Sequence, residues 1–164
     1  MLRVVLDTQC WVSALAVPRG KPGRIVRLAL EGELRLVTSP AIHEEVLAVF
    51  ARPHVARLFP AAVDPASWLA AVELGAADMV EASLGPPLST DPKDDPFLWA
   101  AYVGRATHVV SKDPDLLGLK HYRGASILDP TGFVAEWLSR RLSETSPDPE
   151  HADEVERRRR EDKE

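Results

Sequence analysis

The chain has 164 residues, 45% of them hydrophobic and 27% charged, with a net charge of −5. That length fits one domain with a tail, and that balance excludes a collagen-like, disordered or disulfide-built protein. Residues 143–164 hold nine acids and five bases, a net of −4, which leaves residues 1–142 at −1. A body so nearly neutral does not coat nucleic acid non-specifically, so any contact with a polyanion needs a local patch.

Residues 2–6 form a short apolar run with β-branched content that ends at Asp7. The run reads as a buried first strand rather than a signal peptide, whose apolar region would be longer. Residues 11–17 have helical spacing and stop at Pro18-Arg19-Gly20-Lys21-Pro22-Gly23, which reads as a loop. Ile25, Leu28 and Ala29 share a helix face that ends at Gly32, and residues 34–38 are a second strand. Ser39 as N-cap and Pro40 in the first turn open a helix to about Ala51.

Pro53 and Asp64-Pro65 open two more helices, the second carrying Trp68, Leu69, Val72 and Leu74. Residues 79–82 are a strand candidate, followed by a turn-rich stretch at 85–94. A helix is expected from Pro96 to about Arg105, with Phe97, Leu98, Ala101 and Tyr102 packing inward. Strands follow at 107–111 and 126–128, and Asp129-Pro130 opens a last helix through Trp137 to Arg141. Strands alternating with helices predict an α/β domain with a mainly parallel sheet, spanning residues 1–142. Residues 143–164 lack apolar periodicity. Their acid–base pairs at i,i+4, such as Asp153 and Arg157, suit a solvated helix or a disordered tail. The sharper alternative is an arm that touches RNA or a partner through residues 157–160.

No apolar run reaches the roughly 18 residues of a membrane span. Cys10 is the one cysteine and has no internal partner, so a reducing cytoplasm is the expected compartment.

In a parallel sheet, ligands bind beyond the carboxyl ends of the strands. Asp7 follows the first strand directly, and Asp113 follows the strand at 107–111, with Asp115 two residues on. Glu45 lies in the helix after Ser39-Pro40, and Asp94 and Asp95 stand at the start of the helix containing Phe97. Carboxylates gathered at one sheet edge repel one another unless a cation neutralises them, and an all-oxygen set suits Mg²⁺ or Mn²⁺ rather than zinc. The competing reading is structural, because Asp-Pro occurs six times and is an ordinary helix-start device. Asp95 and Asp113 can be caps alone, and spacing does not decide between the two readings.

Four ordered blocks carry a resemblance. Val4-Val5-Leu6-Asp7-Thr8-Gln9 with Val12-Ser13-Ala14-Leu15 resembles the opening motif of PIN-domain proteins, and Leu36-Val37-Thr38-Ser39-Pro40 running into Glu44-Glu45 resembles their second block. Asp91-Pro92-Lys93-Asp94-Asp95-Pro96-Phe97-Leu98 is similar to the family's acidic approach to a helix. Val109-Val110-Ser111-Lys112-Asp113 is similar to its strand, hydroxyl and acid motif. The branch most alike is that of toxin components of toxin–antitoxin systems.

The resemblance implies a three-layer α/β/α sandwich and a metal-dependent endoribonuclease. It also implies Mg²⁺ or Mn²⁺ as cofactor, RNA as substrate, a cognate antitoxin protein as partner, and a homodimer. Carried over, the catalytic and metal-binding acids are Asp7, Glu45, Asp95 and Asp113, with Asp94 and Asp115 auxiliary and Ser111 supporting. Glu44 is the neighbouring alternative to Glu45. Gln9 stands where the family usually has Asn, and its extra methylene is expected to weaken the bonds that orient Asp7. Arg19, Lys21 and Arg24, with Lys93 and Lys112 beside the acids, are the candidate RNA contacts, each with a solvated-surface alternative.

Other chemistries lack their residues. His43-Glu44-Glu45 is followed by Leu47 where a zinc HExxH motif needs histidine, and no GxGxxG or Walker motif occurs. The reading from a different class is a non-catalytic PIN-like module that binds RNA or a protein.

Overall fold

Strands covered on both faces have no polar side to show, so they read as continuous apolar runs. In the computed structural model, which describes residues 1–81 and 95–145, this holds for β1 (Arg3–Leu6), β2 (Arg35–Thr38) and β4 (His108–Val110). Val4, Val5, Leu6, Leu36, Val37, Val109 and Val110 are all buried. With β3 (Ala77–Met79), β5 (His121–Tyr122) and β6 (Ala125–Leu128) they form one six-stranded sheet in the order β3-β2-β1-β4-β6-β5. Every pairing is parallel except that of β5 with β6. Helices flank the mixed, mostly parallel sheet in a three-layer α/β/α arrangement, as the sequence predicts.

The helices begin where the caps and prolines dictate. Asp7 caps α1 (Thr8–Ala16), Ser39 caps α3 (Pro40–Phe50), and Asp64 caps α5 (Pro65–Ala76), each accepting a backbone N–H in the first turn. The helix α2 (Lys21–Leu30) ends in a Schellman motif. Gly32 takes φ +79°, its N–H reaches Ala29, and the Glu33 N–H reaches Leu28. A short α4 (Pro53–Ala56) follows α3, and α6 (Asp95–Val103) packs on β1, β2 and β4. The helix α7 (Pro114–Leu119) starts on Asp113, and α8 (Pro130–Thr145) starts after Asp129.

Three expectations shift. Lys21-Pro22-Gly23 is not loop but the first turn of α2, where proline's missing N–H costs nothing. The third strand lies at Ala77–Met79, two residues before the stretch expected for it. Tyr102 is exposed rather than packed inward, and the Arg123 guanidinium lies 4.9 Å from the centre of its ring. The chain divides into a unit of residues 1–134 and a second beginning at Ala135, while α8 itself runs on to Thr145. The turn-rich stretch at 85–94 and the tail from residue 146 lie outside the described residues.

Chain order sets where the sheet opens. From β1 the chain steps outward to β2 and β3, then returns to place β4 on the other side of β1. The carboxyl ends of β1 and β4 therefore flank the switch point, where a crevice for ligand forms. At the opposite, amino ends of the strands, Asp78 of β3 takes both Arg3 and Arg35, at 2.5 Å and 2.8 Å. The Arg3 hydrogen bond, with Arg35 second, holds the Asp78 carboxyl below its ordinary range.

Candidate active site

Asp7 leaves β1 at the switch point with only 4% of its surface exposed. A buried carboxylate needs donors, and three converge on it. Oδ1 accepts from the Cys10 N–H at 2.8 Å, and Oδ2 accepts from the Ser111 hydroxyl at 2.5 Å and the Lys112 N–H at 3.0 Å. The Ser111 oxygen in turn accepts from the Asp113 N–H at 2.9 Å, so one buried hydroxyl ties the end of β1 to the turn after β4. Burial pushes the neighbouring Cys10 thiol far up, and the charge of Asp7 adds to the effect, so this cysteine is an inert packing group.

Asp7, Glu45 and Asp113 line one cleft of about 640 Å³. Glu45 reaches it from α3, where Thr8 donates to its Oε2 at 3.1 Å. Asp113 caps α7, with Oδ1 accepting the Asp115 N–H. Two cations, Arg52 and Lys112, share the cleft with the acids, and Val12, Val49, Val55, Phe97 and Leu116 give it an apolar wall.

The other expected residues lie variously. Asp95 is buried in the first turn of α6, two residues before Phe97, and does not line the cleft. Asp115 is exposed on α7, away from the lining. Glu44 is exposed beside Glu45, and His43 stands 2.7 Å from a Glu73 oxygen, tying α3 to α5. Gln9 lines the cleft but makes no hydrogen bond to Asp7 among the described residues, so the three donors above orient Asp7 without it. Lys112 donates from Nζ to Ser13 Oγ at 2.6 Å. Lys21 lines an adjoining cleft, Arg19 is exposed in the loop before α2, and Arg24 is half-buried and engaged. Lys93 and Asp94 lie outside the described residues.

Sequence reasoning missed Arg52, Thr8 and Ser13. Arg52 sits in an unremarkable stretch between α3 and Pro53, where nothing separates it from a surface arginine. Thr8 and Ser13 stand inside the first motif, and the spacing of α1 turns both toward the cleft.

The donor chemistry fits a hard divalent cation. All three acids in the cleft offer oxygen. Asp113 Oδ2 and Glu45 Oε1 accept no hydrogen bond among the described residues, and Asp7 Oδ1 accepts a single one. As they stand, no three His, Cys, Asp or Glu side chains among the described residues are grouped closely enough to hold an ion. The acids share a cleft without forming a closed cage.

Residues 3–115 match the family described as PIN domain. The chain is also 27% identical over 119 residues to the uncharacterized protein MJ1680 of Methanocaldococcus jannaschii, an alignment covering 73% of this chain and 76% of that one. No solved structure matches the chain. Among the described residues no helix is long and apolar enough to cross a membrane.

Proposed function

The chain belongs to the PIN domain family, whose members are generally nucleases that typically use divalent metals, and from that premise we propose that it is a Mg²⁺- or Mn²⁺-dependent endoribonuclease. The observation that carries the reading is the meeting of Asp7, Glu45 and Asp113 in one cleft at the switch point of the sheet. A partner-binding module has no need of three carboxylates lining one cleft at the switch point. The residues that would hold the cation are Asp7, Glu45 and Asp113, with Asp95 supporting from the start of α6 and Asp94 and Asp115 auxiliary. The chemistry a divalent cation supplies there is a more acidic water and relief of the charge that builds on a phosphodiester under attack.

The chain's own groups do the rest. Ser111 and the N–H groups of Cys10 and Lys112 keep the Asp7 carboxylate in one orientation. Arg52 and Lys112 place positive charge beside the acids, suited to the two non-bridging phosphate oxygens. The apolar wall takes a sugar or base and limits the water that reaches the phosphate. Arg19 and Lys21 add cationic charge for RNA on the described surface, and Arg24 and Lys93 stay candidates from the family resemblance alone.

The wider reading is the toxin of a toxin–antitoxin pair, acting in the cytoplasm as a homodimer and silenced by an antitoxin that covers the acidic cleft. The second reading is a non-catalytic PIN-like module that binds RNA or protein, and the open grouping of the acids favours it. One experiment separates the two. Purified protein and Asp7→Asn are incubated with single-stranded and structured RNAs in Mn²⁺, Mg²⁺ or EDTA. Cleavage that needs metal and vanishes in the variant supports the nuclease. RNA binding without cleavage by either protein supports the module.

A further inference from the structure

Lys112 belongs to two clefts. Beside the acid-lined cleft lies a second of about 470 Å³, and the two share Ser13 and Lys112, which are hydrogen-bonded to each other at 2.6 Å. The second cleft passes over the starts of α2 and α8, with Lys21 and Thr131 among its polar lining.

Charge is divided unevenly between them. The three acids of the candidate metal site all face the first cleft. Among the described residues the second has one carboxylate, Asp129, whose Oδ1 accepts the Gly132 N–H at 2.7 Å in the first turn of α8. Against it stand two ammonium groups, Lys21 and Lys112, and the hydroxyls of Ser13 and Thr131. Arg52 lines only the first cleft, Lys112 lines both, and Lys21 lines only the second. The order Arg52, Lys112, Lys21 thus puts one cation in each compartment and one where they join.

We infer that the second cleft is a phosphate subsite for single-stranded RNA. A strand whose scissile phosphodiester lies by Asp7 and Asp113 crosses Lys112 and sets a neighbouring phosphate beside Lys21. Each cleft falls within the roughly 300–1,000 Å³ of ordinary ligand pockets, which admits one nucleotide-sized unit and not a duplex. A phosphate in the second cleft meets ammonium and hydroxyl donors with no need of a metal, because charge there is already cationic. This assignment rests on the nucleic-acid reading of the acid cleft.

The test is fluorescence anisotropy with labelled oligoribonucleotides of two, four and twelve nucleotides, in EDTA to prevent turnover. The variants are Lys21→Ala, Lys112→Ala and Arg52→Ala. Arg27→Ala, an exposed cation of α2 that lines neither cleft, is the control. Thermal melting confirms that each folds. The wild type is expected to gain affinity between two and four nucleotides. Lys21→Ala is expected to lose most of that gain and about one unit of salt slope on the twelve-mer, with Arg27→Ala unchanged. If Lys21→Ala keeps the full length dependence while Lys112→Ala and Arg52→Ala bind less tightly, the subsite is wrong and the nucleic-acid reading of the acid cleft stands. If the wild type binds no RNA of any length, both fall together.

Discussion

Ser111 donates its hydroxyl to the Asp7 carboxylate at 2.5 Å across 104 residues of sequence, both groups buried at the carboxyl ends of β1 and β4. The same oxygen receives the Asp113 N–H, so a single atom sets two acids of the cleft. Ser111→Ala leaves Asp7 Oδ2 with one donor instead of two and leaves the Asp113 N–H without a partner. Loss of buried hydrogen bonds of this kind costs about 1–3 kcal/mol. If the acids hold a cation, losing the group that orients them weakens its binding about 10–100-fold. Melting curves with and without Mn²⁺ read both effects. A variant that melts and responds to Mn²⁺ as the wild type does would remove Ser111 from the site.

Gln9 faces the same cleft without a hydrogen bond to Asp7 among the described residues. Its difference in length from asparagine therefore does not act through the orientation of Asp7. Gln9→Asn is expected to leave the melting temperature unchanged and to alter RNA cleavage by no more than about twofold. A tenfold gain in rate would show that the amide position is set by substrate, and that residue 9 limits turnover.

The parts of the site that were legible in the sequence lie at strand ends. Asp7 and Asp113 follow apolar runs long enough to read, and the parallel alternation fixes which end of the sheet they share. Glu45 stands among the candidate acids by its place after Ser39-Pro40, but only the family block favours it, since a glutamate on α3 reads equally as a solvated helix residue. Arg52 carried no signal, because its place in the cleft depends on how α4 follows α3. Short elements leave no pattern to read. A six-residue α7 and a two-residue β5 are below the length at which periodicity shows. Asp78 disguises β3, since its charge is matched by arginines from two strands distant in sequence.

Gly23 explains why a stretch that reads as loop is helix. A Cβ built there would run into the backbone of Pro18, including its carbonyl carbon and oxygen, so only glycine lets α2 start this close to the preceding turn. Backbone cannot yield as a flexible side chain can. Gly23→Ala, despite alanine's better helix propensity, is expected to destabilise by about 1–3 kcal/mol, the cost of overpacking. Chemical denaturation measures it, and Gly118→Ala in α7, where a Cβ meets nothing within 4 Å, is the matched control. Equal behaviour of the two variants would mean that the Pro18 turn moves aside freely.

Asp78 makes stability depend on acid at the end of the sheet away from the cleft. Its folded pKa lies below the ordinary 3.8, through the Arg3 hydrogen bond first and Arg35 second. As pH falls, the unfolded chain takes up this proton before the folded one does. The contribution is therefore complete above about pH 4 and is lost as pH drops through the folded value. The group is partly exposed and screened, so it is worth on the order of 1 kcal/mol or less. Asp78→Asn is expected to melt below the wild type by a constant margin between about pH 5 and pH 8, with the margin closing at lower pH. Calorimetry across that range checks it, and a margin that widens in acid would place the stabilising charge elsewhere.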